Sequence, residues 1–334
     1  MTASPARLRL MLIERGVDVA RRLVLAAMPT AFCRLRHEHA AWAERVIAID
    51  PADARLAGIA ARWAWAQLDH RRLVEFATMG IDAVSDGDPR SATCRTFLAL
   101  MLLFTGRAEE ATAWLPALRR DLGADNPTYD RVLTAIPLVL AAQGDPTAFA
   151  QFMDVLRALI DEIDRIGAPS LLVAASLAEA IALLSDQPVD VRAVQQKLAT
   201  ATEHARRSGD ALWEIQALNV SANAALAFGS PDAARHCREM LTRAYDSRFW
   251  VIVGQAAPLA LVALESAGRH DAATTIVGAL ERHFSVTHPM AREICSRYVT
   301  AASEHDDSAR LIARGAAMDR DEMTRFIIDE LAAT

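Results

Sequence analysis

Chemistry needs particular side chains at particular spacings, and the best metal-like cluster in this chain is His37-Glu38-His39. On a helix, neighbours at i and i+2 point about 200° apart, so these two histidines cannot share one ion, and the His-Glu-x-x-His pattern of zinc proteases is absent. Asp161, Glu162 and Asp164 resemble a set of paired carboxylates, but they fall on the polar side of an amphipathic helix, where a solvated face is the expected role. No Gly-x-Ser-x-Gly elbow, no Rossmann glycine series and no phosphate-cradling Gly-x-x-x-x-Gly-Lys-[Ser/Thr] loop occurs. Lys197, the only lysine, sits mid-helix in Gln195-Gln196-Lys197-Leu198. The sequence therefore assigns no catalytic, metal or cofactor residues.

The residues best suited to recognition are Arg62, Trp63 and Trp65, because tryptophan and arginine are enriched where partners bind. Leu56, Ile59, Ala60 and Trp63 form one helical stripe, which gives Trp63 a packing role. Trp65, two residues on, faces elsewhere and is the stronger candidate for an exposed partner contact.

Composition narrows the class of protein. Apolar residues make up 52% of the 334, about a fifth of the chain is alanine, and aromatics amount to only 6%, a mixture that favours close-packed helices over sheets. A net charge of −6 argues against nucleic acid as a partner, since such binders concentrate positive charge on one face. Cys33, Cys94, Cys237 and Cys295 lie tens of residues apart, with no CxxC pair, and read as reduced thiols of a cytoplasmic protein. Arg21-Arg22 precedes an apolar run that is broken at Pro29, too short for an export signal, and no uninterrupted apolar stretch reaches the roughly 18 residues of a membrane span.

The elements that would position these residues are helices. Phe149, Phe152, Met153, Leu156, Ile160 and Ile163 recur at helical spacing, with Asp154, Arg157, Asp161 and Asp164 on the other side. Similar stripes run Val191, Val194, Leu198, Ala201, Ala205 and Ala273, Ile276, Val277, Leu280, Phe284, and strand alternation appears nowhere at comparable length.

The turn signals are themselves periodic. Asp69, Gly106, Gly144, Asp186, Gly229 and Gly268 are about 37 to 43 residues apart, and a second series (Gly87-Asp88-Pro89, Asn126-Pro127, Gly167 to Pro169, Gly209-Asp210, Asp246-Ser247, His288-Pro289) falls midway. Two interleaved series with one period predict repeated helix-turn-helix hairpins, an all-α solenoid. Small residues five positions after Gly106, Gly229 and Gly268 would let the second helix of each hairpin pack closely.

The predicted helices pair 5–28 with 36–48, 53–68 with 70–85, 90–105 with 107–121, 127–143 with 145–166, 169–184 with 189–207, 210–228 with 231–246, and 249–267 with 269–284. The spans 288–303, 306–316 and 319–332 close the chain. Pro116, Pro137 and Pro258 lie inside these spans and predict kinks or breaks. This gives an N-terminal hairpin over 1–50, repeats over 51–287 and capping helices over 288–334.

The hairpins resemble the long, degenerate tetratricopeptide-like repeats in the C-terminal region of large bacterial signal-transduction ATPases, including LuxR-type regulators and class III adenylate cyclase fusions. Trp42 to Asp50 followed by Ala61 to Asp69 is similar to the stretch where that family's repeats begin, and Ala309 to Leu331, with Gly315-x-x-Met318, is similar to its closing segment. The resemblance implies a non-catalytic protein-interaction or sensor module in the cytoplasm. Its partner would be a protein, such as an ATPase or cyclase from a neighbouring gene, with neither nucleic acid nor membrane involved; the alternatives are a small-molecule-binding sensor, or the repeat half of a split adenylate cyclase or ATPase. The expected relatives are those fused to a cyclase, because no DNA-reading domain follows the closing helix.

Overall fold

The computed structural model describes residues 16–123, 126, 128–141, 146–185, 189–283, 296 and 307–334, and all of its regular structure is helical, with no strand among the described residues. The chain divides into two compact units, one of residues 1–103 with 107–175 and one of 176–334 with 104–106.

In the first unit α1 (Val17–Cys33), α2 (Glu38–Ile47) and α3 (Ala54–Ala66) pack on one another, and α4 (His70–Asp82) lies against α3. A 3-10 turn (Pro89–Ser91) leads into α5 (Ala92–Phe104), followed by the short α6 (Ala108–Thr112) and α7 (Leu115–Asp121), both against α8 (Thr128–Ala141), which packs on α9 (Pro146–Ile166). The boundary between the units falls inside α10 (Pro169–Ser185). The second unit continues through α11 (Val191–Ser208), α12 (Ala211–Ala227), α13 (Ala233–Asp246), α14 (Trp250–Ser266) and α15 (His270–His283), each against the next, and closes with α16 (Ser308–Ala317) and α17 (Arg320–Ala332). The expected span 288–303 lies outside the described residues apart from position 296.

Several helix starts are fixed by side-chain capping. Asp53 accepts from the Arg55 and Leu56 amides, Asp69 from Arg72, Asp190 from Ala193 and Asp210 from Trp213, each satisfying amides that the first turn leaves unbonded.

Seven of the described helix ends share one device. After Gly106 in the left-handed region (φ 76°), the Arg107 amide reaches back to the Leu102 carbonyl at 2.8 Å, and the same five-residue return follows positions 209, 229 and 268. It also follows Leu35, Leu68 and Arg248, non-glycine residues with φ of 49°, 57° and 51°. Ala111 and Ala273, the small residues five positions beyond Gly106 and Gly268, are buried as their spacing predicts.

The prolines divide into two outcomes. Pro116 separates α6 from α7 and occupies the first turn of α7, where proline's missing amide costs nothing. Helices α8 and α14 instead run unbroken through positions 137 and 258. Pro29, read from the sequence as a break, lies inside α1, which continues to Cys33.

The terminal helix is docked. Asp319 accepts from the Glu322 amide at 2.8 Å while the Glu322 carboxylate accepts from the Asp319 amide at 2.9 Å, a reciprocal capping box. Met323, Ile327 and Leu331 are buried, α17 lies against α13, α14 and α15, and Asp321, Arg325 and Asp329 face solvent. Ile327→Asp should therefore lower stability by about 3 kcal/mol, through lost apolar burial and an uncompensated charge, whereas Arg325→Asp should change it by less than about 0.5 kcal/mol. Urea unfolding of the two variants checks this, and equal midpoints would show that the stripe is not buried.

Candidate functional site

The three residues singled out for recognition are core residues of the first unit. Arg62 is 1% exposed: its Nη2 donates to Asp130 Oδ1 at 3.0 Å, its Nη1 donates to the Met28 sulfur, and its guanidinium carbon lies 5.0 and 5.3 Å from the Phe32 and Phe97 ring centres. One charged side chain thus ties α3 to α1, α5 and α8, with an ion pair and two aromatic faces offsetting the loss of its hydration. Trp63 is buried as its stripe predicts, edge-on to Phe32 at 5.2 Å.

Trp65 corrects the expectation of an exposed contact. It is 9% exposed and packs edge-on against Phe97 at 5.3 Å. The reason is that α3 is buried on nearly every side, from Ala54 to Ala66, so that a residue off the main apolar stripe still meets a neighbouring helix.

Around Trp63 the structure also places both histidines of the metal-like cluster. Trp63 Nε1 donates to His39 Nδ1 at 3.3 Å, and His39 Nε2 lies 2.8 Å from the Val24 carbonyl, so the neutral ring with its proton on Nε2 satisfies both contacts. His37 lies on the other side of this arrangement, with its ring 5.0 Å from Trp63 and Nδ1 3.1 Å from Gln67 Nε2.

Burial holds His39 below the ordinary imidazole value, and nearby Arg62 adds to this against the opposing pull of the Val24 carbonyl and Glu38. A base with a depressed folded value stays neutral while the unfolded chain takes up a proton. Stability is therefore full above about pH 6.5 and falls as pH drops from there through the folded value. His236, also lowered by burial and Arg235, acts in the same direction. The loss of urea resistance between about pH 7.5 and 5.5 should accordingly be smaller in His39→Gln than in the parent chain. An unchanged pH dependence would mean that His39 takes up its proton alike in the folded and the unfolded chain.

Of the acidic trio on α9, Asp161 and Asp164 are exposed, but Glu162 joins α9 to α8. Its carboxylate accepts from Arg131 Nη1 at 2.7 and 2.9 Å and from Thr128 Oγ1 at 2.8 Å, and these bonds, the Thr128 hydroxyl foremost, hold its pKa below the ordinary value.

What the sequence does not single out is a groove in the second unit, with a volume of about 520 Å3, where α11 and α13 form the walls and α12 the floor. Its apolar lining includes Leu198 on α11, Leu218 on α12 and Phe228 just after α12, and Ser221 on α12 adds a polar group. The rim carries Glu203, Arg206, Arg207, Asp232, Arg235 and Glu239. Arg207 pairs with Glu203, Arg235 with Asp232, and Arg206 with Glu239, so both signs alternate along the opening.

Beneath the rim, Glu214 fixes the three helices in register. Its carboxylate, 5% exposed, accepts from Arg206 Nε on α11 at 2.8 Å and from Arg243 Nη2 on α13 at 2.5 Å. Burial alone would raise the Glu214 pKa, but these two arginine hydrogen bonds outweigh it and hold the group ionised below its ordinary value. The groove is thus a preorganised surface that can accept apolar side chains on its floor and hydrogen-bond polar groups at its edges. Among the described residues no cluster of three or more His, Cys, Asp or Glu could hold a metal ion, and no helix is long and apolar enough to cross a membrane.

Compared with models of known protein families and with curated proteins, the chain matches none.

Proposed function

We propose that this chain is a helical-repeat binding module with no chemical step of its own, an α-solenoid of tetratricopeptide-like hairpins that works by presenting the α11–α13 groove to a protein partner in the cytoplasm. The observation that carries this reading is the groove itself. Three successive helices, clamped by Glu214, leave an apolar floor open between charged walls, the pattern of an interaction site with an apolar centre and a polar rim. The alternating charges favour a partner segment bearing both signs and disfavour a nucleic acid, whose phosphates would meet Glu203, Asp232 and Glu239. The resemblance to the repeats of signal-transduction ATPases directs the search to an ATPase or cyclase encoded beside this chain.

The test is site-specific photocrosslinking with that neighbouring protein. A photoreactive residue at Ala199 or Ser221, both lining the groove, should give an adduct, while one at Asp154 or Arg157 on the exposed face of α9 should not. Equal labelling from all four positions, or from none, would remove the groove from consideration.

A second reading, a small-molecule sensor, draws on the groove's volume of about 520 Å3, which lies within the range of ligand pockets. A saturable ligand-induced rise in melting temperature, abolished by Ser221→Trp, would distinguish it from protein binding.

A further inference from the structure

Helix α13 borders a second cleft of different electrostatic character. It has a volume of about 570 Å3 and lies where the ends of α12, α14 and α17 meet the first turns of α13. Its walls are mostly alanine and other small residues, Ser230 and Ser266 among them. The charged side chains lining it are Arg235 and Arg238, no acidic side chain joins them, and the last residue of the sequence, Thr334, also lines it. The contrast with the groove on the other side of α13 is sharp, since there each arginine of the rim faces an acid.

Arg238 is the telling residue. It is half-buried, yet among the described residues it has neither an ion pair nor a side-chain hydrogen bond. Its neighbours one turn away on the same helix are Ala234, Arg235, Leu241 and Thr242, none of them acidic. Arginines that give up solvent ordinarily do so beside a counter-charge, because loss of hydration is costly without one. Arg235 shares its charge with Asp232 at 3.2 Å and more distantly with Glu239 at 4.0 Å, both of which line the groove and not this cleft.

We propose that this cleft binds a small ligand through an oxyanion, a carboxylate or a phosphate group, with Arg238 as its principal counter-charge and Arg235 as a second donor. A guanidinium can present two parallel N–H groups to either oxyanion. The small side chains leave room for a compact ligand body, and the volume lies within the range that encloses one. This site is distinct from the α11–α13 groove, and its occupancy does not depend on the groove having a partner.

Calorimetric titration of the full chain with succinate and, separately, with inorganic phosphate at constant ionic strength tests the proposal and distinguishes the two oxyanion classes. At least one of the two should bind saturably with a dissociation constant in the millimolar range or tighter. Arg238→Gln should weaken that binding at least tenfold, and Arg235→Gln by a smaller factor. Arg192→Gln, which removes an exposed arginine on α11 away from the cleft, should leave it unchanged. Circular dichroism of each variant establishes that the fold is retained, and Arg238→Lys, which keeps the charge but loses the two-pronged geometry, should retain intermediate affinity. The proposal is overturned if neither anion binds saturably, or if Arg238→Gln binds as tightly as the parent chain.

Discussion

Replacing Gly315 with valine is expected to lower the stability of the second unit by at least about 4 kcal/mol, more than the 1 to 3 kcal/mol typical of overpacking. At this position α16 presses against α15 backbone to backbone. A Cβ on Gly315 would fall well inside 3.0 Å of the Thr275 carbonyl, and one on Gly278 would do the same against the Ile312 carbonyl. The obstacle in each case is a main-chain oxygen fixed in a helix, so no rotamer change relieves it and the helices must separate. Gly315→Ala is the more diagnostic variant. On a free helix it would stabilise by about 1 kcal/mol, whereas here it should destabilise. Chemical denaturation of both variants checks this, and an alanine variant as stable as the parent would show that the two helices do not approach so closely.

The second large effect concerns Arg95 and Asp121, only 4% and 3% exposed at their side chains. Arg95 Nε donates to Asp121 Oδ2 at 2.7 Å and Nη2 to Oδ1 at 2.6 Å, while the Ser91 hydroxyl at 2.5 Å and the Asp88 carbonyl at 3.0 Å take two of its three remaining N–H donors. Removing one partner leaves the other charge buried alone, so Asp121→Ala should cost about 3 to 5 kcal/mol. The paired change Arg95→Met with Asp121→Leu removes both charges and should recover most of that loss, since an apolar pair of similar volume is often as stable as a buried ion pair. Urea midpoints for the single and double variants test the coupling. Simple additivity of the single-variant effects would mean that the two groups do not depend on each other.

The helices were legible because their signals are local. The stripe of Val194, Leu198, Ala201 and Ala205 depends only on spacing along one element, and the caps at Asp69 and Asp319 act within three residues. Chain reversal was legible wherever glycine marks it. It was less so at Leu35, Leu68 and Arg248, which take the same left-handed conformation without a glycine to signal it. The burial of Trp65 is not legible in the sequence because helical phase describes one face of one helix, whereas α3 is covered on several sides by other helices of the first unit. The groove was invisible for a related reason: its floor and walls come from residues 195 to 239 on three helices, and the ion pair network that holds them, centred on Glu214, has no fixed sequence spacing. Gly315 stood out in the sequence only through a family resemblance, and the close approach to Thr275 supplies a physical reason for a glycine at that position.

Each unit also contains its own clock. Cys94, whose sulfur lies 3.5 Å from the Ala54 carbonyl, is buried in the first unit, and Cys237 is buried in α13 of the second. Burial pushes both thiols up to about 12, so in the closed state neither reacts as a thiolate at neutral pH. Alkylation then requires opening, and its rate at each cysteine, resolved by peptide mass spectrometry, reports how often the surrounding helices part. If the two rates rise together with denaturant, the units open as one cooperative body. If Cys94 and Cys237 respond with different slopes, each unit has an opening equilibrium of its own, measurable at native cysteines without any substitution in the chain.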